Sequence, residues 1–245
     1  MKKLTVVAAL LAASFGAYAQ DYKPVAGNAV VELGLVGGLG TTTTVLSPSA
    51  FGTPQVKVRY FLADQLAARV GFNWSQSTTT NKFYGGPNGD DLGTQKIKGS
   101  IFMLNLGIEK HFAGTERLST YVGADLLFRM TGVSEKNENY SSGPIPAAGY
   151  AANHSETFKG TNSAGTANST TGFGLRAVTG ADYYFIEKVY LGAEIGWGFI
   201  ATSDKKASAE ITDSGTTTTT NFKSGGGSFD LAPAVSGTIR LGFRF

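Results

Sequence analysis

Hydrophobic and polar residues alternate along eight stretches of the chain. A period of two places the apolar side chains of a stretch on one face of a β-strand and its polar side chains on the other. The stretches are 31–35, 56–62, 66–74, 102–108, 118–130, 173–185, 189–199 and 231–245. No segment of useful length repeats with the helical period of 3.6 residues. The pattern predicts an all-β protein with eight strands.

The faces opposite the apolar ones carry the charged residues of these stretches. The apolar faces hold no charge apart from Lys110, at one end of the fourth stretch. The opposite faces carry Glu32, Lys57, Arg59, Arg69, Glu109, Asp125, Arg129, Arg176, Asp182, Glu194, Arg240 and Arg244. Two architectures fit this segregation. In a soluble β-sandwich the apolar faces form the core and the charges meet water, whereas in a membrane barrel the apolar faces meet lipid and the charges point into the lumen.

Strand length, aromatic placement and connections favour the barrel. The strands are about 10 residues long, which suffices for a tilted strand to cross the membrane, and aromatic residues such as Trp74 and Phe245 lie at strand ends. Short connections at 64–65, 113–116 and 186–188 alternate with long ones at 38–53, 76–96, 131–170 and 202–228. The sequence therefore predicts an eight-stranded antiparallel transmembrane β-barrel with four long extracellular loops and short periplasmic turns. Turn residues place hairpin tips at 87–90 and 213–215, so these loops could extend the strands beyond the membrane.

The N-terminus has the three regions of a secretory signal peptide. Lys2 and Lys3 are followed by an apolar segment at 4–15 and by the small-residue cleavage pattern Ala17-Tyr18-Ala19. We therefore expect a signal peptide at 1–19 and a mature barrel domain at 20–245. Lys2 and Lys3 supply two units of the net charge of +3, so the mature chain is close to neutral.

Composition narrows the functional classes. A mean hydropathy of -0.03 argues against a helical membrane protein. The chain has no cysteine, which excludes disulfides and thiolate chemistry. Near-neutral charge gives no reason to expect a nucleic acid as a partner.

Catalytic candidates are sparse. His154-Ser155-Glu156 is the densest group, but consecutive residues of an extended segment point in opposite directions, and a catalytic triad must converge. His111 lies far from it, at the periplasmic end of the fourth stretch, so the two histidines do not suggest a metal site. We expect no catalytic residue, no cofactor and no metal ion.

The last seven residues, Ile239-Arg240-Leu241-Gly242-Phe243-Arg244-Phe245, alternate up to a terminal phenylalanine. With the eight alternating stretches, this ending resembles the small outer-membrane barrels of the OmpA, OmpX, OmpW and opacity-protein type, grouped broadly as the porin family. The resemblance implies location in the outer membrane of a Gram-negative bacterium after signal-peptide cleavage. It also implies that Leu241, Phe243 and Phe245 form an assembly signal for the barrel-assembly machinery. The chain ends with the barrel, so we expect no periplasmic peptidoglycan-binding domain.

An eight-stranded barrel is just wide enough for its side chains to fill the interior, and buried charges require partners. We therefore expect ion pairs across the lumen and a non-enzymatic protein with a structural or surface-interaction role. The expected partners are outer-membrane lipid, the assembly machinery and a surface ligand that binds the loops. The alternatives are a porin-like or OmpW-like transporter of small or hydrophobic solutes and, less favoured, a lipid-modifying enzyme.

Overall fold

The computed structural model describes residues 22–38, 54–85, 90–141, 149–222, 226–230 and 236–245. These residues form twelve antiparallel strands, in keeping with the many β-branched and aromatic residues of the stretches. The strands are β1 (Ala29–Gly38), β2 (Pro54–Ala63), β3 (Leu66–Gly85), β4 (Asp90–Phe112), β5 (Leu118–Ser141), β6 (Gly149–Lys159), β7 (Thr170–Ile186), β8 (Val189–Asp204), β9 (Ala207–Asp213), β10 (Thr216–Phe222), β11 (Gly227–Asp230) and β12 (Ser236–Arg244). The described ranges contain no helix long and apolar enough to cross a membrane.

Eight of the strands close into a barrel. The first five strands, β1 to β5, pair in chain order. The ring continues because β5 pairs with β7 and β7 pairs with β8. β8 then pairs with β12, and β12 pairs with β1 from Val30↔Arg244 to Gly38↔Ser236. Each strand of the ring thus has a neighbour on both sides. The predicted eight-stranded barrel is confirmed.

The short connections lie at one end of the barrel. Asp64 and Gln65 join β2 to β3, residues 113–117 join β4 to β5, and Glu187 and Lys188 join β7 to β8. At the opposite end, β9 and β10 are joined by Ser214 and Gly215, whose φ angles of 47° and 87° are those of a tight hairpin turn. The predicted tip at 213–215 is confirmed. The signal peptide, most of the 38–53 connection and the tip residues 87–89 lie outside the described residues.

Three barrel strands continue far beyond the length that a membrane requires. β3, β4 and β5 have 20, 23 and 24 residues, whereas about 10 suffice for a crossing. The upper part of β5 pairs with β6, β6 pairs with β9, and β9 pairs with β10. We call the upper parts of β3–β5 together with β6, β9 and β10 the head sheet. The segments 76–96, 131–170 and 202–228, predicted as loops, are therefore largely strands.

Burial follows the alternation of the sequence, but it is inverted relative to a soluble protein. On β5, Asp125 is 1% exposed while the neighbouring Leu126 is 60% exposed. The same holds around the ring, where apolar residues face outward and charged residues face the lumen. Such a surface is stable only if the apolar face meets lipid instead of water.

Candidate functional site

The lower lumen, at the end with the short turns, is filled by an aromatic layer. Inward side chains of β1, β2, β3, β7 and β8 form one buried cluster with a residue that precedes β1. The cluster consists of Tyr22, Val30, Phe61, Ala67, Tyr184 and Tyr190. The rings of Tyr184 and Tyr190 are 4.9 Å apart, and His111 lies 5.1 Å from the Phe61 ring. This layer closes the periplasmic end of the lumen.

Above the aromatic layer, Arg59 of β2 reaches across the lumen. Its guanidinium donates to Glu109 on β4 at 2.9 Å and to Asp182 on β7 at 2.8 Å, and it also pairs with Glu32 on β1. The Tyr190 ring lies 5.2 Å below the guanidinium carbon, close enough for a cation–π contact. Arg59 is fully buried. One side chain thus joins β2 to four other strands of the barrel.

Arg69 of β3 makes a second set of bridges at a similar level. It donates to Asp125 at 2.6 Å, to Glu109 at 2.9 Å and to Glu194 at 2.7 Å. Arg176 approaches the same Asp125 at 2.6 Å from β7. Because Glu109 contacts both Arg59 and Arg69, the two sets form one network.

Arg240 of β12 and Lys57 of β2 complete this network. Arg240 donates to Glu32 and to Asp182, each at 2.8 Å, and Lys57 lies 3.0 Å from Glu194. We call the ten residues the lumen network: Glu32, Lys57, Arg59, Arg69, Glu109, Asp125, Arg176, Asp182, Glu194 and Arg240. It contains five basic and five acidic side chains. This balance matters because a buried charge is tolerated only with a partner.

Neutral side chains supply further hydrogen bonds to the network. The Tyr121 hydroxyl donates to Glu194 at 2.7 Å. One ring nitrogen of His111 lies 3.0 Å from Glu109 and the other lies 2.9 Å from Ser119. The carboxylates are therefore held from several sides, which fixes their positions across the lumen.

Two of the twelve charged residues named from the sequence lie apart from the network. Arg129 faces the upper lumen and makes no ion pair with any described residue, and its buried Nε has no hydrogen-bond partner there. Arg244 lies at the periplasmic end and donates to the backbone carbonyl of Lys23. Sequence reasoning also missed Phe61 and Tyr190 as lumen residues. Continuing the alternation of β2 and β8 by one more step would have identified both.

The head sheet has a polar cluster on its inner face, centred on Glu135 of β5. The Glu135 carboxylate accepts hydrogen bonds from the Ser163 amide at 3.0 Å, from Asn137 at 3.0 Å and from Gln95 at 3.0 Å. Burial alone would raise the pKa of Glu135, which is only 2% exposed, but these donors outweigh it, so the pKa lies below its ordinary value of 4.5. The cluster ties the segment after β6 to β5.

The position of Glu135, five residues beyond Met130 and thus outside the predicted membrane span, makes its titration accessible. A carboxyl whose pKa is lowered by folding contributes stability above its unfolded pKa and loses it as pH falls through the folded one. We expect the ratio of Ser163 amide exchange rates, wild type over Glu135→Gln, to be smallest above pH 4.5. It should approach one only as the pH falls through the lowered pKa of the folded state. Glu138→Gln, at an exposed site on the same strand, is the matched control. A ratio that does not change with pH would contradict this role.

His154, Ser155 and Glu156 lie on β6. His154 Nε2 contacts Glu156 at 3.1 Å, and Asn137 donates to Glu156 at 2.9 Å. Ser155 pairs with Glu138 across the strands, so its side chain points to the opposite face of the sheet. The three residues therefore do not converge. Among the described residues, no group of histidines and carboxylates could hold a metal ion.

The final strand places Leu241, Phe243 and Phe245 on the outward face, at the periplasmic end of the barrel. Leu241 and Phe245 are exposed, and the Phe245 amide donates to the carbonyl of Ala29 at 2.8 Å. β12 pairs with β1 and with β8, so it is the strand that closes the ring.

The fold and the charged lumen define a class of protein, a small β-barrel that lies in a lipid bilayer with its polar side chains inside. The chain belongs to the OmpA-OmpF-like porin family, whose model matches residues 52–202, more than half of the chain. The protein is therefore an outer-membrane β-barrel of a Gram-negative bacterium. The predicted family resemblance and location are confirmed.

Solved structures of outer-membrane proteins are similar to this chain at low sequence identity. OprG from Pseudomonas aeruginosa is 14% identical, with 91% of this chain and 98% of OprG covered and a TM-score of 0.46. A major outer-membrane protein from Thermus thermophilus is 14% identical, with 89% and 98% covered and a TM-score of 0.43. Ail of Yersinia pestis is 12% identical, with 90% and 99% covered and a TM-score of 0.37. No curated protein matches the chain in sequence.

Proposed function

We propose that the protein is a non-enzymatic, non-conducting barrel that anchors the head sheet at the cell surface and serves envelope integrity and surface interaction. The lumen network is the observation that carries this proposal. Its ten side chains bridge β1, β2, β3, β4, β5, β7, β8 and β12 at mid-height. An eight-stranded barrel leaves little room beside such side chains for a water-filled path.

The barrel, held together by the lumen network, then supports the surface segments of the head sheet. Binding residues are commonly carried by segments that a stable scaffold positions. Here the long strands β3, β4 and β5 carry the scaffold directly into the head sheet, so the surface segments are held by backbone hydrogen bonds. We also propose that β12, with Leu241, Phe243 and Phe245, is the strand that the barrel-assembly machinery reads.

Planar-bilayer recording tests the closed lumen. The purified wild-type protein, inserted into a bilayer after its folding has been verified by heat-modifiable gel migration, is expected to give no large, stable conductance. The physical reason is that opening a path requires several buried ion pairs to separate at once. Large, stable and nonselective conductance of the wild-type protein would refute the proposal.

A transporter of hydrophobic solutes is the second candidate, and inward apolar residues of the upper barrel favour it. Ile101 and Met103 on β4 and Leu127 on β5 have the phase of the lumen-facing residues and lie above the network, and Ile101 is 39% exposed. A hydrophobic molecule could contact them and leave sideways without passing the charges. Uptake of a neutral hydrophobic dye by proteoliposomes that show no ion current would favour this function over the purely structural one.

A further inference from the structure

Lysines gather on the outward face of the head sheet. Lys96 on β4 lies directly opposite Lys136 on β5, and both Lys98 on β4 and Lys159 on β6 lie opposite Ser134. Directly opposite residues of an antiparallel pair point to the same face. The four lysines line a groove of about 470 Å³, together with threonines at its edges. We call this feature the lysine groove.

The charges of the lysine groove are not balanced by the acids around it. Like charges directly opposite each other on neighbouring strands destabilise a sheet. Glu138 lies 2.5 Å from Lys136, but both side chains are more than half exposed. Glu135 also borders the groove, but its buried carboxylate lies on the inner face of the sheet, where it accepts hydrogen bonds from Ser163, Asn137 and Gln95. Glu210 on β9 lies opposite Thr157 and shares the outward face, so the acids Glu138 and Glu210 stand against four lysines. The groove therefore keeps a surplus of positive charge that an anion would stabilise.

The position of the groove relative to the membrane indicates where the anion comes from. The alternation of β4 is unbroken from Phe102 to Lys96, and that of β5 from Met130 to Lys136, so the lysines share the lipid-facing side of the barrel. Lys98 lies four residues beyond Phe102, which is about 13 Å along the strand. With a strand tilt of about 40°, the groove begins about 10 Å above the apolar band. That is the headgroup layer of the outer leaflet.

We propose that the lysine groove binds the phosphorylated glycolipid headgroup of the outer leaflet. The ammonium groups of Lys96, Lys98, Lys136 and Lys159 donate to phosphate oxygens, because clusters of lysine near a bilayer surface attract anionic headgroups. Thr80 and Thr157, which flank Lys96 and Lys136 in the same cross-strand row, offer hydroxyl donors. This binding does not depend on the state of the lumen.

Titration of the mature full chain with diphosphorylated lipid A in zwitterionic detergent micelles tests the proposal. Lys96→Gln/Lys136→Gln is expected to bind roughly tenfold to thirtyfold more weakly than the wild type. Glu138→Gln is expected to bind more tightly, because it removes the anion beside Lys136. Lys110→Gln, an exposed lysine on the same outward side but at the periplasmic rim, is the matched control and should leave the affinity unchanged. Heat-modifiable migration verifies that each variant is folded.

Two further titrations distinguish a lipid headgroup from free phosphate as the ligand. Dephosphorylated lipid A should not bind, and inorganic phosphate should compete only at high concentration. Equal lipid A affinities for the wild type and Lys96→Gln/Lys136→Gln would overturn the proposal. If the double variant at the same time lost binding of a soluble polyanion, sucrose octasulfate, the groove would be a site for soluble anions and not for the lipid headgroup.

Discussion

Arg59→Met is expected to destabilise the folded barrel by about 3–5 kcal/mol, which is the usual cost of removing one partner from a buried ion pair. Methionine is shorter, but it is unbranched and flexible and fills much of the same space, so the change removes charge and hydrogen bonds with a smaller loss of volume than alanine would cause. Glu32, Glu109 and Asp182 would each lose a contact, and the network would be left with five acids and four bases. The free energy of unfolding in urea, followed by heat-modifiable migration in lipid vesicles, measures the loss.

Arg129→Met is the matched control for this change. It makes the same replacement on the lumen face of β5, where the arginine forms no ion pair with a described residue. We expect its effect to stay within about 1 kcal/mol. Equal losses for the two variants would show that the ion pairs of Arg59 contribute no more than any inward arginine.

A double variant separates the charge from the packing. Asp182→Asn keeps the shape of the side chain and, combined with Arg59→Met, restores equal numbers of acids and bases in the network. The double variant should lose less stability than the sum of the two single ones, by about 0.5–3 kcal/mol, since the two residues are in direct contact at 2.8 Å. Additive losses would mean that the carboxylate and the guanidinium do not stabilise each other.

The assignment of residues to the two faces was predictable because the alternation of side chains follows from strand geometry alone. Asp125 and Leu126 are adjacent, and their opposite environments follow directly from the period of two. The partners of each charge were not predictable. Lys57 and Glu194 are 137 residues apart, and they meet only because strand tilt and register bring β2 and β8 to one level across the lumen.

Arg129 shows the same limit of sequence-based prediction for an inward arginine that lies outside the network. By sequence it is equivalent to Arg69 and Arg176, since all three face away from lipid on barrel strands. Its position on β5, four residues above Asp125, the carboxylate that this strand contributes to the network, separates it from the network. Height in the barrel therefore decides which inward charges pair, and the alternation carries no information about the heights of residues on distant strands.

The sequence indicated only that the long loops could extend the strands, and the strand bounds of the head sheet were not predictable for a physical reason. Thr216–Phe222 pairs fully with β9, yet all its side chains are exposed, so no apolar face marks it as a strand. The threonine-rich composition was the available signal, because threonine favours strands. Where both faces of a sheet meet water, hydrophobic alternation is absent and only propensity and turn residues remain.

Gly242→Ala is expected to lower the free energy of unfolding by about 1–3 kcal/mol, because the new methyl group overpacks the aromatic layer. A larger effect would prevent the barrel from assembling. Gly242 lies on β12 opposite Tyr190 of β8, and a Cβ atom there would overlap the Tyr190 ring. That ring is fully buried beside Tyr184 and below Arg59, so moving it aside would disturb both contacts. The measurement is the fraction of protein that reaches the heat-modifiable folded form and its unfolding midpoint in urea.

Gly99→Ala controls for the general effect of placing alanine at a strand glycine. Gly99 lies on β4, where a Cβ atom would meet only the Ser77 hydroxyl at 3.1 Å, and a small side-chain shift relieves that contact. In a Tyr190→Leu background, which shortens the obstructing side chain, the cost of Gly242→Ala should largely disappear even though Tyr190→Leu is itself destabilising. If Gly242→Ala costs the same in both backgrounds, the Tyr190 ring is not the obstacle. The aromatic layer would then tolerate added volume, and the closed lower lumen would need another explanation than close packing around Tyr190.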